Sequence, residues 1–178
     1  MFKRYIALIR GINVGGNSII SMADLREVFE ELGFLDVSTY IQSGNVLFSS
    51  ESSNKVDLAG KIEERLASKM GRKVEVFVLS KEQLEAASEK NYFRPKNPDT
   101  QISHIVFLSE EPQRDRIETL KKMEGREYKF EVWKNVLYFT YSKEDAAGRR
   151  TIDFEKVLET RATARTWKVV DKLIELMG

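Results

Sequence analysis

The order of short apolar runs and capped helical stretches over roughly the first 80 residues constrains the fold more than any other feature. Residues 5–9, Tyr5-Ile6-Ala7-Leu8-Ile9, are apolar throughout and do not alternate, which predicts a strand covered on both faces or at a sheet centre. Ser21-Met22-Ala23-Asp24 has the Ser-x-x-acid spacing of a capping-box variant. Leu25, Val28, Phe29 and Leu32 follow at helical spacing, and Gly33 closes the helix. Strands are expected over 37–41 and 46–48, joined through a hairpin turn at Ser43-Gly44-Asn45. Asn54 is placed to cap a helix carrying Val56, Leu58, Ile62, Leu66 and Met70, Gly71 ends it, and residues 74–79 form another β-branched run. The resulting order, β-α-β-β-α-β, is that of the ferredoxin-like split βαβ unit.

Beyond a short helix over 82–87, residues 91–101 hold Pro95 and Pro98, two of the three prolines, and read as a linker. The order then partly repeats, with a strand over 102–108, a helix over 113–123, and strands over 128–133 and 136–141 around a Lys134-Asn135 turn. A polar loop covers 142–151, and helical sequence starts at Phe154 and again over 163–177. The expectation is an α+β protein of two similar halves, residues 1–90 and 102–178, joined by 91–101. The second half lacks an evident final strand, so it is expected to share elements with the first.

A net charge of +1 over 178 residues argues against a dedicated non-specific DNA or anionic-membrane binder. The absence of cysteine removes disulfides and thiolate chemistry, and His104 is the sole histidine, so neither a metal nor a cofactor is expected. The basic start and apolar run at 3–9 are too short for a signal peptide and lack a cleavage site, so a strand is the better reading. With no long apolar span, a cytoplasmic protein without membrane partners is expected.

Arg10-Gly11-Ile12-Asn13-Val14-Gly15-Gly16-Asn17 is a polar glycine loop between the first strand and the first helix. The first two strands of a split βαβ unit are parallel, so the loops 11–17 and 42–45 open at one sheet edge, beside the helix start at Ser21. Arg10, Asn13, Gly15, Gly16, Asn17, Gln42, Ser43 and Asn45 then converge, offering amides, a guanidinium and backbone N–H groups without a carboxylate. Such a set suits an anion or a planar hydrogen-bonding group. The glycine spacing matches neither the dinucleotide fingerprint nor a P-loop, and the plain alternative is that these glycines and Ser43-Gly44-Asn45 only shape turns.

A second candidate region joins Gly148-Arg149-Arg150 to Ala162-Thr163-Ala164-Arg165-Thr166-Trp167-Lys168. With Thr163 as N-cap, Arg165 falls in a first helical turn, where a cation opposes the dipole, and such a broken rule points to function. The alternative is that Arg165 reaches a surface carboxylate such as Glu159, with Trp167 in the core. His104 reads as structural. Tyr138, Phe139 and Tyr141 could stack bases on an open sheet, but the RNA-recognition signature is missing, which favours core packing.

The chain resembles the bacterial family known as domain of unknown function 1697. The resemblance is carried by Leu8-Ile9-Arg10-Gly11-Ile12-Asn13-Val14-Gly15-Gly16, Met22-Ala23-Asp24-Leu25-Arg26, Leu32-Gly33-Phe34 and Tyr40-Ile41-Gln42-Ser43-Gly44-Asn45-Val46. The chain departs from the family pattern at Tyr92, where proline is usual, at Gly148-Arg149-Arg150-Thr151-Ile152 for Gly-Arg-Ser-Lys-Leu, and at Thr163-Ala164-Arg165-Thr166-Trp167-Lys168 for Thr-x-Arg-Asn-Trp-Asn. The resemblance implies two intertwined ferredoxin-like halves, with antiparallel or mixed sheets, and no known substrate, cofactor or reaction. The working expectation is binding or conversion of a small anionic ligand, such as a phosphate or nucleotide, at the glycine loop, with Arg149 and Arg165 adding charge. The alternative is an RNA-binding or protein-interaction module using a sheet face, with nucleic acid the less favoured partner. Whether the chain is an enzyme and how it oligomerises have no marker in the residues.

Overall fold

The computed structural model describes residues 1–13, 20–125, 128–144 and 152–178. Its first elements are β1 (Lys3–Ile9), α1 (Met22–Glu31), β2 (Leu35–Tyr40), β3 (Asn45–Ser50), α2 (Lys55–Met70) and β4 (Val76–Ser80). After α3 (Lys81–Glu89) come β5 (Gln101–Leu108), α4 (Arg114–Lys121), β6 (Tyr128–Trp133) and β7 (Val136–Ser142). The chain closes with α5 (Phe154–Leu158), β8 (Ala162–Thr166) and α6 (Trp167–Leu176). It divides into two compact units, Met1–Leu84 with Leu173–Gly178, and Glu85–Lys172. The fold is α+β, with two four-stranded sheets ordered β2-β3-β1-β4 and β6-β7-β5-β8, each the order of a ferredoxin-like unit. All strand pairs in both sheets are antiparallel.

In the first unit β1 is the inner strand between β3 and β4, and its apolar run has a physical reason. Tyr5, Ala7 and Ile9 join the helix-side core with Val46, Phe48, Leu25, Phe29, Leu58 and Ile62. Ile6 and Leu8 point to the other face and are also fully buried, so no polar position is tolerated. Phe48 sits 5.4 Å from Phe29 and 4.6 Å from Phe34, ring centroid to centroid, where edge and offset contacts add to apolar burial. The helix ends follow the sequence closely. Ser21 Oγ accepts from the Asp24 amide, and Asn54 Oδ1 accepts from the Val56 and Asp57 amides. Gly71 closes α2 in the left-handed region at φ 69°.

In the second unit β5 takes the place of β1, between β7 and β8. Val106, Leu108, Phe130, Leu137 and Phe139 form the core with Leu120 of α4 and Leu158 of α5. His104 is part of this packing, its ring stacked with Phe139 and with Tyr141 at 6.0 and 5.8 Å. The fourth strand, β8, corrects the expectation of helical sequence from Thr163: residues 162–166 pair with β5 from His104↔Thr166 to Leu108↔Ala162, and the helix begins only at Trp167. Ala-Thr-Ala-Arg-Thr mixes helix formers (Ala, Arg) with a strand former (Thr), so pairing with a buried neighbour decides its conformation.

Two stability outcomes follow from the helix caps. Asn54→Ala should cost about 0.5–2 kcal/mol in urea unfolding with an unchanged m-value. The hydroxyl of Ser21 and the ammonium of Lys69 hold the Asp24 carboxyl below its ordinary value. The stabilisation from Asp24 is therefore present above its unfolded pKa and lost as pH falls through the lower folded value. The stability gap between wild type and Ser21→Ala should shrink below about pH 4, read from unfolding midpoints across the acid range.

Candidate functional site

β1 and β2 are both antiparallel to β3 and hence parallel to each other, so their C-terminal ends reach the same sheet edge. The structure brings Arg10, Asn13, Gln42, Ser43 and Asn45 together there, whereas Gly15, Gly16 and Asn17 lie outside the described residues. Asn13 takes a left-handed backbone at φ 55° and is fully engaged. Its Nδ2 donates to the carbonyls of Ile20 (3.1 Å) and Gln42 (3.0 Å), and its Oδ1 accepts from the Ile20 amide (2.9 Å). Asn45 is fully buried and donates through Nδ2 to Tyr40 O and Ser43 Oγ, both at 3.1 Å. The Ile9 amide donates to Gly44 O at 2.8 Å. These amides therefore knit the two loops to each other. Gln42 has an exposed side chain.

Arg10 corrects a second expectation, that the rim is free of carboxylates. Its Nη1 lies 2.7 Å from Glu75 Oε2, in a pair whose side chains are 43% and 32% exposed. Screening by solvent makes such a pair weak in energy, yet it neutralises the guanidinium expected to face an anion. Arg72 joins the same edge, donating from Nη2 to Gly11 O at 3.0 Å. Both Glu75 and Arg72 precede β4 and were missed by loop counting. The signal was available, because a ferredoxin-like order places the start of an antiparallel β4 beside the end of β1.

Of the second candidate region, Gly148, Arg149, Arg150 and Thr151 lie outside the described residues. Arg165 is in β8 opposite Ile105, not in a helical turn, so the dipole opposition does not arise. Its Nη1 donates to Thr163 Oγ1 (3.1 Å) and Ala164 O (2.8 Å). Burial lowers its pKa to about 10, which still leaves it charged at neutral pH. Glu159 instead pairs with Arg116 at 2.5 Å. Trp167 is half-buried with the Arg94 guanidinium 4.8 Å above its ring.

A concavity lies elsewhere in the second unit, a cleft of about 560 Å³ along residues 92–101 and the ends of β5, β6 and β7. Tyr92, Arg94, Lys96, Asn97, Gln101 and Lys129 line it, with Thr140 and Ser142 behind them. No His or carboxylate is among its described lining residues. Lys96 and Lys129 are exposed and have no ion-pair partner among the described residues. Arg94 is held by Asp171, whose other oxygen accepts from Ser88 Oγ at 2.6 Å. Tyr138 is buried and donates its hydroxyl to Ala87 O (2.9 Å), and burial raises its pKa. Its ring supports Tyr92 edge-on at 5.5 Å, leaving Tyr92 55% exposed. The sequence singled out Tyr92, the 91–101 stretch and Tyr141 separately but did not join them into a site, since the lining is drawn from a loop and three strand ends. Among the described residues no cluster of His, Asp or Glu could hold a metal, and no helix is long and apolar enough to cross a membrane.

A family model described as "Protein of unknown function (DUF1697)" matches residues 2–138. The chain is also similar to a solved structure, conserved bacterial protein SP0830 from Streptococcus pneumoniae, at 26% identity and a TM-score of 0.77, with 100% of each chain covered. No curated protein matches the chain.

The load on the loop amides has a direct test in stability. Asn13→Ala removes three hydrogen bonds and should cost about 1–3 kcal/mol in urea unfolding. A Cβ on Gly44, at φ +73°, would stand 2.8 Å from Ile9 O and 2.9 Å from Ile12 Cγ1. Gly44→Ala should therefore cost more than about 2 kcal/mol, in the same measurement.

Proposed function

Because the chain belongs to the DUF1697 family of proteins of unknown function, membership brings no reaction with it, and we propose from the site that the protein binds a small anionic ligand of the phosphate or nucleotide class. The cleft of the second unit is a stronger place for that ligand than the glycine loop. One observation carries this choice: every charged residue lining the cleft is cationic, and Lys96 and Lys129 have no ion-pair partner among the described residues. At the glycine loop, by contrast, Arg10 faces Glu75 and the amides of Asn13 and Asn45 are spent on backbone partners.

The exposed ring of Tyr92, propped by Tyr138, gives a planar group a surface to stack on, while Lys96 and Lys129 supply charge for a phosphate. Asn97, Thr100 and Gln101 add neutral donors and acceptors along the same wall. Use of an open sheet face for RNA has less support: of the strand aromatics read for stacking, Tyr138 and Phe139 are 0% and 6% exposed, and Tyr141 is half-buried with its ring against Phe139 and His104.

Titration calorimetry with adenosine monophosphate and with inorganic phosphate tests the proposal. Adenosine monophosphate should bind more tightly than phosphate, and Lys96→Ala/Lys129→Ala should weaken it by about tenfold or more. Tyr92→Ala should remove most of the preference for the nucleotide. Weakening by Arg10→Ala with no effect of the double lysine variant would return the site to the glycine loop.

A further inference from the structure

The first unit carries another cleft, of about 590 Å³, at the sheet edge opposite the glycine loop. β1 begins here, and its antiparallel partners end here, with Lys3 opposite Ser50 and Tyr5 opposite Ser80. The chain leaves these strand ends into α2 and α3, so the starts of both helices reach the cleft through Lys55 and Lys81. Four cations, Lys3, Arg4, Lys55 and Lys81, line it against one carboxylate, Glu82. None of these residues belongs to a sequence motif, and none serves the ligand cleft of the second unit.

The cations differ in how they are held. Lys55 Nζ donates to the neutral amide oxygen of Gln83 at 2.5 Å, which positions the ammonium without cancelling its charge. Lys81 Nζ donates to the backbone oxygen of Gly178 at 2.5 Å. Lys3 and Arg4 have no ion-pair partner among the described residues. The Asn54 side chain already takes the first free amides of α2, so that helix contributes the field of its positive end and not hydrogen bonds. The Glu82 carboxyl is held below the ordinary range chiefly by the Ser80 hydroxyl and a backbone hydrogen bond, with smaller contributions from Lys55 and Lys81.

The lining also excludes ligands. Among its described lining residues the single aromatic, Tyr5, is 3% exposed and offers no face for a nucleobase to stack on. Several cations spread around one concavity suit an anion whose charges are themselves spread over linked groups. We propose that this cleft binds a compact phosphate polyanion of the pyrophosphate or tripolyphosphate class, held by Lys3, Arg4 and Lys55. The proposal is independent of the nucleotide or phosphate site in the second unit.

The test is titration calorimetry of the full chain with sodium tripolyphosphate at fixed ionic strength. Saturable binding is expected to persist in Lys96→Ala/Lys129→Ala, which removes the phosphate site of the second unit, and to weaken by about tenfold or more when Lys3→Gln/Arg4→Gln is added to that background. Lys3 and Arg4 lie at the start of a strand and keep most of their stems as glutamine, and an unchanged urea midpoint verifies the fold. Lys55→Gln gives a second variant with the same expected direction. The proposal is overturned by an absence of saturable binding to the wild type, or by unchanged affinity in both the Lys3→Gln/Arg4→Gln and Lys55→Gln proteins. It is likewise overturned by loss confined to the Lys96→Ala/Lys129→Ala protein, or by tighter binding of a single-stranded RNA oligomer to these same residues.

Discussion

The burial of β1 on both faces, with a hydrogen-bonded neighbour on each side, is the constraint from which the first unit is built. A strand with polar alternation has its register set by that alternation, because a one-residue slip turns the wrong side chains inward. β1 has no such alternation, so its register must come from its ends. Lys3 and Arg4 keep the start at the surface, and the end is held by the Ile9–Gly44 backbone bond and the Arg10 amide to Glu75 O. β5 meets the same condition between β7 and β8, with Ile105, Val106, Phe107 and Leu108 all buried.

This constraint explains why the rim beside the glycine loop is engaged in architecture. The chain must reverse direction immediately after a strand that cannot shift, and the reversal leaves backbone groups to be satisfied. Asn13 and Asn45 satisfy them with side-chain amides, each reaching across its loop. Asparagine serves because it carries donors and an acceptor on a short stem and tolerates the left-handed backbone that Asn13 adopts. A side chain saturated in this way holds the protein together, whereas lysines without ion-pair partners along a concave surface remain available to a ligand. The two clefts differ on the same grounds. One presents an exposed, supported tyrosine beside its lysines, and the other presents cations around a buried ring.

Most of the fold was legible because its signals are local. Ser21 and Asn54 cap the helices they were expected to cap, and α1 and α2 bury Leu25, Val28, Phe29, Leu58, Ile62 and Leu66 as expected, whereas Val56, read into the same stripe, is 80% exposed in the first turn of α2. The convergence of the loops at 13 and 42 was also legible, since it follows from strand direction alone. β8 was not legible. Ala162-Thr163-Ala164-Arg165-Thr166 precedes a strongly amphipathic helix, and only pairing with β5 separates the two. The pairing of Arg10 with Glu75 spans 65 residues, and no local pattern records it. Both clefts were hidden for the same reason, as their lysines come from separate strands, helix starts and a loop and look like ordinary solvated charges in the chain.

The sequence by itself determined the element order of the first unit, its helix caps, the inner position of β1 and the family, because each is encoded in spacing along one stretch of chain. The tertiary structure decided which polar groups are consumed by the fold and which face open space, because a hydrogen bond or an ion pair depends on distance in space and not along the chain. Asn13 was in this way found holding its loop to Gln42, and the cationic surfaces emerged from lysines that no motif had marked.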